Sequence, residues 1–139
     1  MPLFEQVLDK YPTTVKIVYK NFPLAFHKQA LSAALAALAA GEQGRFWEYH
    51  DALFLRQNSL SDETYLDIAR NMGLDMEKFS LDIMRPSLRK KIELDMEEGK
   101  KAGISGTPTI FVNGRKLRNR DLASISKMID EEIAGEQKK

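Results

Sequence analysis

The sequence contains no cysteine in its 139 residues. These residues therefore cannot carry out thiol–disulfide exchange, although a chain of this length can bury a core without disulfide bonds. Long apolar runs are also missing: the stretch Ala30 to Ala40 is alanine-rich and shorter than the roughly eighteen apolar residues of a membrane span. Met1 to Glu5 lacks the basic and apolar regions of a secretory signal, so we expect no signal peptide in this chain.

An excess of charge of one sign is likewise absent. Twenty-one basic residues against twenty acidic ones leave a net charge of +1, which favours neither nucleic acid nor an anionic membrane surface. Four cations, Arg115, Lys116, Arg118 and Arg120, follow a predicted hairpin without an aromatic stacking motif. We interpret them as a solvated edge that discourages aggregation, and we expect no nucleic-acid partner.

The histidines and the tryptophan are interpreted as structural. His27 and His50 have neither the helical i, i+4 spacing nor the cysteine partners of a metal site, so no metal is predicted. His27 is expected to act structurally before a helix, and His50 to be buried with its hydrogen bonds satisfied. Trp47 is expected to anchor a helical block, whereas an exposed indole would indicate a partner surface.

The spacing of apolar residues predicts a mostly helical chain with few strands. Val15, Ile17 and Tyr19 alternate with polar residues, which predicts a strand over residues 13–22. Helical patterns cover residues 2–10, 28–40, 44–55, 61–73, 75–84, 86–102 and 121–133. The 86–102 helix is expected to have a solvated, salt-bridged face without a catalytic role, formed by Lys90, Lys91, Glu97, Glu98, Lys100 and Lys101.

Residues 103–114 combine a glycine-rich turn, a Thr-Pro bond and a short β-branched and aromatic run. Pro108 stands at the start of that run, where a missing N–H removes no ladder hydrogen bond. Asn113-Gly114 predicts a two-residue hairpin turn. Ser105 lacks the spacing of a nucleophile elbow, so it is assigned no catalytic role.

Four blocks of sequence, in this order, resemble the DsbA family of thiol–disulfide oxidoreductases. The blocks are Phe22-Pro23-Leu24-Ala25-Phe26-His27, residues 39–44, residues 46–54, and Gly106-Thr107-Pro108-Thr109. The resemblance covers Pro2 to about Ile133. It implies an α/β thioredoxin-like fold of the DsbA type, a single domain over residues 1–139 with a helical insertion at about 25–103. By this alignment the family's first strand and Cys-x-x-Cys motif would lie upstream of Met1, leaving the fold N-terminally incomplete.

The resemblance also implies a binding site. In the family the loop matching Gly106, Thr107, Pro108 and Thr109 faces the thiol pair, contains a cis-proline and pairs with an extended peptide or protein substrate. No residue of this chain is assigned a catalytic role, and no cofactor is expected. The implied location is periplasmic or extracytoplasmic.

A missing central strand would leave backbone groups unpaired on both neighbouring strands. Three outcomes stay open: a longer protein supplies the strand, a partner chain fills the gap, or the two strands pair directly and antiparallel. An isolated copy is expected to self-associate through the unpaired strands.

The implied function is that of a thiol–disulfide oxidoreductase or isomerase domain that is inactive without its cysteines. Oxidase, reductase and isomerase are not separated, because redox poise depends on residues absent here. Two alternatives are a cysteine-less peptide-binding or chaperone-like module and a glutathione-transferase or isomerase relative of the same fold.

Overall fold

The computed structural model describes residues 2–25 and 27–137. Phe26, part of the first resemblance block, lies outside the described residues. The described elements are α1 (Pro2–Lys10), α2 (Ala30–Gly41), α3 (Phe46–Leu55), a 3-10 turn (Gln57–Ser59), α4 (Asp62–Asn71), α5 (Met76–Ile83), α6 (Pro86–Lys101), β1 (Phe111–Val112), β2 (Arg115–Lys116) and α7 (Leu122–Gln137). Every helix among these residues is too short or too polar to serve as a membrane span.

The chain forms two compact units. One is the helical unit, Lys20–Ser105, which contains α2 to α6. The other, the hairpin unit, comprises the residues up to Tyr19 and those from Gly106 onward, and it contains α1, β1, β2 and α7.

The core of the helical unit forms around α2. This helix is rich in alanine, and its residues from Leu35 to Ala40 are all buried. Small side chains let neighbouring helices approach closely, so larger residues of the other helices fill the space around it. Tyr49 of α3 and Phe79 of α5 are fully buried there, with ring centroids 5.7 Å apart.

Local signals fix the ends of the helices in this unit. The hydroxyl of Ser61 accepts a hydrogen bond from the Thr64 amide and caps α4, and the carboxylate of Asp75 caps α5 through the Lys78 amide. Pro86 stands in the first turn of α6, where its missing N–H costs no helical hydrogen bond. These residues explain why the predicted and observed helices agree closely.

The core of the hairpin unit joins α1 to α7. Val7 and Tyr11 are buried together with Ile125 and Ile129 of α7. Leu117, which follows β2, is buried in the same cluster. The hairpin is therefore held against the helices by the apolar residue that directly follows it.

The predicted strand at residues 13–22 is wrong. No part of this segment is a strand in the structure, and β1 pairs with β2 alone among the described residues. Val15 is only partly buried, against the core of the hairpin unit. Alternation of apolar residues allows a strand, but a strand also needs a neighbour for its backbone hydrogen bonds, and here the described residues supply none.

The expectation that Trp47 anchors the helical block is also wrong, since its side chain is 43% exposed. Tyr49 and Leu53, four residues apart, occupy the buried face of α3. Trp47 and Phe54, seven apart, share another face, and both are exposed. One helix cannot bury aromatic residues on every side against one neighbouring core.

Candidate functional site

The segment Gly106 to Thr109 lies in the hairpin unit, and Ile110 separates it from β1. The Thr107-Pro108 peptide bond is cis. Thr107 and Pro108 are exposed, whereas Gly106 and Thr109 are half-buried. The two central residues of this loop therefore face solvent.

Hydrogen bonds hold the loop on both sides of Thr107. The Thr109 hydroxyl donates to the Gly106 carbonyl over 2.7 Å, closing the loop on itself. The guanidinium of Arg120 donates from Nη1 to the Pro108 carbonyl over 3.4 Å. Within residues 2–25 and 27–137, by contrast, the backbone N–H and C=O of Thr107 have no hydrogen-bond partner. A donor and an acceptor of one exposed residue are thus available to another chain.

The hairpin after the loop fixes where the loop ends. Asn113 and Gly114 have φ angles of 46° and 82°, the left-handed conformation that a tight two-residue hairpin turn requires. Val112 pairs with Arg115, and the Leu117 amide donates to the Ile110 carbonyl over 2.8 Å. This extra hydrogen bond extends the pairing back towards the loop.

A polar contact joins the two helices of the hairpin unit. The hydroxyl of Tyr11, the residue directly after α1, donates to the Asp130 carboxylate on α7 over 2.7 Å, and it lies 3.3 Å from the Ser126 carbonyl. A hydrogen bond to a charged acceptor is among the stronger ones in proteins. The elements beneath the hairpin are therefore fixed by polar as well as apolar contacts.

The basic residues after the loop fall into two groups. Arg115 pairs with Glu131 and Glu132 of α7 at 2.9 and 3.2 Å, and these hydrogen bonds raise the pKa of its guanidinium above the usual value. In the described part of the chain, no ion pair is formed by Lys116, Arg118 or Arg120. The edge next to the loop is therefore cationic and not neutralised.

The structure places the other singled-out residues outside this site. His50 is only 5% exposed, so its predicted burial is confirmed. Its Nδ1 atom lies 3.3 Å from the Asp51 carboxylate. His27 forms a turn before α2 through its backbone. Glu97 and Glu98 lie on the exposed face of α6, as predicted. No cluster of potential metal ligands occurs among the residues that the structure describes.

Sequence reasoning missed one residue of this site. It grouped Arg120 with a solvated basic edge, and the structure places its guanidinium on the carbonyl of Pro108. The two residues lie twelve positions apart, with the hairpin between them. A short hairpin brings the residues that follow it close to the residues that precede it. The predicted Asn113-Gly114 turn was therefore the sequence signal that could have predicted this contact.

Comparisons with known proteins agree with the order of elements. A sequence model of the Thioredoxin family matches residues 2–131. The chain is similar to a thioredoxin-like oxidoreductase of known structure from Silicibacter pomeroyi DSS-3, with a TM-score of 0.82 and 28% identity over 96% of this chain and 77% of the other. DsbA of Xylella fastidiosa shares the fold, with a TM-score of 0.71 and 20% identity over 96% of this chain and 79% of that one. The expected α/β thioredoxin-like fold of the DsbA type is thereby confirmed.

Two kinds of curated protein contain a similar segment. Na(+)/H(+) antiporter NhaA 3 of Salinispora tropica is 38% identical over 83% of this chain and 18% of its own length. Probable disulfide bond formation protein D of Bacillus anthracis is 29% identical over 94% of this chain and 63% of its own length. The chain thus spans about a fifth of the antiporter and less than two thirds of the disulfide bond formation protein.

Proposed function

Because the chain belongs to the Thioredoxin family whose model matches residues 2–131, we propose that its loop Gly106-Thr107-Pro108-Thr109 binds an extended peptide or protein segment. The biochemical setting is thiol–disulfide exchange on protein substrates, by an oxidoreductase or isomerase. The oxidoreductase title of the Silicibacter pomeroyi structure and the name of the Bacillus anthracis relative support this class.

The backbone of Thr107 carries the proposal. Its N–H and C=O have no partner within the described residues, while the carbonyls of Gly106 and Pro108 are engaged by side chains. An extended peptide that adds to this edge would exchange hydrogen bonds with Thr107, whose exposed N–H and C=O are both available. Thr109 and Arg120 hold the loop so that little ordering is required on binding.

Exchange itself requires a thiolate, and the 139 residues contain no cysteine. In this role the loop orients the substrate, and the sulfur chemistry requires cysteines that these 139 residues do not contain. The second candidate, a peptide-binding or chaperone-like module without redox chemistry, is favoured by the same lack of cysteine. We further propose a periplasmic or extracytoplasmic location, because disulfides persist in oxidising compartments.

Peptide binding is tested with a fluorescent, cysteine-free peptide and matched variants of one residue. Thr107→Pro removes the backbone N–H, whereas Thr107→Ala keeps both backbone groups. We expect Thr107→Pro to weaken binding about fivefold or more and Thr107→Ala to change it little, since one hydrogen bond contributes about 1 kcal/mol. Equal affinities for both variants, at unchanged thermal stability, would contradict backbone pairing at Thr107.

The redox setting is tested on the protein purified from its source. Its intact mass is measured before and after alkylation of thiols. A mass above 15.8 kDa with two alkylated cysteines supports the oxidoreductase. A mass of 15.8 kDa without any shift supports the peptide-binding module instead.

Self-association through exposed apolar residues that lie outside the helices and strands is proposed as well. Residues 15–24 are outside every helix and strand, and Val18 within them is 63% exposed. Exposed extended segments with apolar side chains pair readily with other chains. Sizing by light scattering at rising protein concentration should show dimers or larger species, and a monomer at every concentration would count against this.

A further inference from the structure

We propose that Arg120 selects an acidic side chain in the peptide that the 106–109 loop binds. The inference rests on the peptide-binding role proposed above and adds a substrate class to it. Its basis is the contact between the Arg120 guanidinium and the Pro108 carbonyl, combined with a local excess of positive charge.

The charge excess lies in the hairpin that follows the loop and in the residues just after that hairpin. From Gly103 to Arg120 the sequence contains four cations and no carboxylate side chain. Arg115 is neutralised by two glutamates of α7. Lys116, Arg118 and Arg120 make no ion pair with any residue that the structure describes. A peptide approaching this edge therefore meets net positive charge, which attracts carboxylates and repels lysine or arginine.

The Arg120 side chain is positioned to bind a carboxylate of the peptide. One N–H of its guanidinium contacts the Pro108 carbonyl, and an arginine has five such donors in a planar fork. The remaining donors are therefore available for two parallel hydrogen bonds to one carboxylate. The contact with Pro108 also restrains the side chain, so less conformational freedom is lost when a ligand binds.

The position of the contact indicates which peptide residue is recognised. Pro108 follows Thr107, the residue proposed to pair with the peptide backbone, and successive residues of a strand lie about 3.3 Å apart. The Arg120 donors thus lie within about one residue of the pairing point along the peptide. A glutamate next to the paired peptide residue fits this distance.

The test uses two cysteine-free peptides that differ in one residue, Glu or Gln, next to the central position. Affinities are measured by isothermal titration calorimetry with the wild-type chain, with Arg120→Gln and with Arg120→Lys. Arg120→Gln keeps an N–H donor and loses the charge, whereas Arg120→Lys keeps the charge and loses the fork. Lys127→Gln, a charge change within α7, serves as the matched control.

For the wild type we expect the Glu peptide to bind about two- to fivefold more tightly than the Gln peptide at low salt, as is typical of exposed ion pairs. The preference should shrink at high salt. It should disappear in Arg120→Gln, fall only partly in Arg120→Lys and persist in Lys127→Gln. This set of results supports the selection of an acidic side chain by Arg120.

Two other results have separate meanings. If both peptides bind the wild type equally, or if Arg120→Gln keeps the preference, the role of Arg120 is overturned while peptide binding stands. If neither peptide binds at millimolar concentration, the peptide-binding function itself fails, and this inference fails with it.

Discussion

The carboxylate of Asp95 on α6 accepts two hydrogen bonds from Asn21, one from the backbone N–H and one from the side-chain amide, each 2.9 Å long. Both residues are buried, with 4% and 2% of their surface exposed. Lys20 and Lys91 lie 3.8 and 3.7 Å from the other oxygen of this carboxylate. Asp95 therefore ties the first residues of the helical unit to the middle of its longest helix.

Asp95→Ala should lower the free energy of unfolding by about 2–4 kcal/mol, because both Asn21 donors lose their acceptor while buried. Glu93→Ala is the matched control on the same helix, since Glu93 is exposed and its pair with Lys90 spans 4.0 Å. Its effect should be below about 0.5 kcal/mol. Urea unfolding measures both values, and similar effects for the two variants would contradict this role of Asp95.

Gly99 on α6 lies against the ring of Phe22. A Cβ at this position would approach the Phe22 Cδ2 and Cε2 atoms to 2.9 Å each, which is closer than van der Waals contact allows. Gly99→Ala should therefore destabilise the protein by about 1–2 kcal/mol, as the clash outweighs the better helix propensity of alanine.

Gly135→Ala in α7 provides the control, because no atom beyond its chain neighbours and its own helix backbone lies within 4 Å of the added Cβ. This variant should stabilise the protein by up to about 1 kcal/mol through helix propensity alone. Thermal unfolding of the two variants should give shifts of opposite sign. A rise in stability for Gly99→Ala would show that Phe22 can move away at little cost.

The buried hydroxyl of Tyr49 should make the protein less stable at alkaline pH. Burial, and secondarily the neighbouring Tyr65, raises the pKa of the Tyr49 hydroxyl well above its usual value of about 10. The unfolded chain therefore ionises this group as the pH passes about 10, while the folded protein keeps it neutral and donating to the Tyr65 carbonyl over 2.9 Å. Its contribution to stability is complete below pH about 10 and is lost as the pH rises towards the folded pKa.

The advantage of the wild type over Tyr49→Phe should consequently shrink above pH about 10, by at most about 1.4 kcal/mol for each pH unit. Urea unfolding at a series of pH values from about 8 to about 11 measures this difference. Below pH about 10 the difference should be constant. A constant difference over the whole range would mean that the folded protein ionises Tyr49 as readily as the unfolded chain does.

The parts predicted correctly from the sequence depend on nearby residues. Ser61 caps a helix through an amide three residues away, Pro86 marks a first turn, and Asn113-Gly114 fixes a hairpin. Each signal acts within one turn, so neighbours in the sequence suffice to predict it. The order of sequence blocks then indicated the fold as a whole.

The parts that failed depend on partners distant in the sequence. Residues 13–22 have the alternation of a strand, but no described strand pairs with them. Asp95 was not singled out from the sequence, and its partner Asn21 lies 74 positions away. Arg120 likewise depends on the fold to reach Pro108. Periodicity shows which side chains share a face but does not identify what that face contacts.

Peptide binding at the 106–109 loop is tested most directly by an NMR titration of the ¹⁵N-labelled chain with an unlabelled, extended, cysteine-free peptide. We expect the Thr107 amide signal to shift most and to become protected from hydrogen exchange, with smaller shifts at Gly106, Thr109 and the Arg120 side chain. Saturating binding that leaves these four residues unchanged, or no binding at all, would contradict a peptide site at this loop.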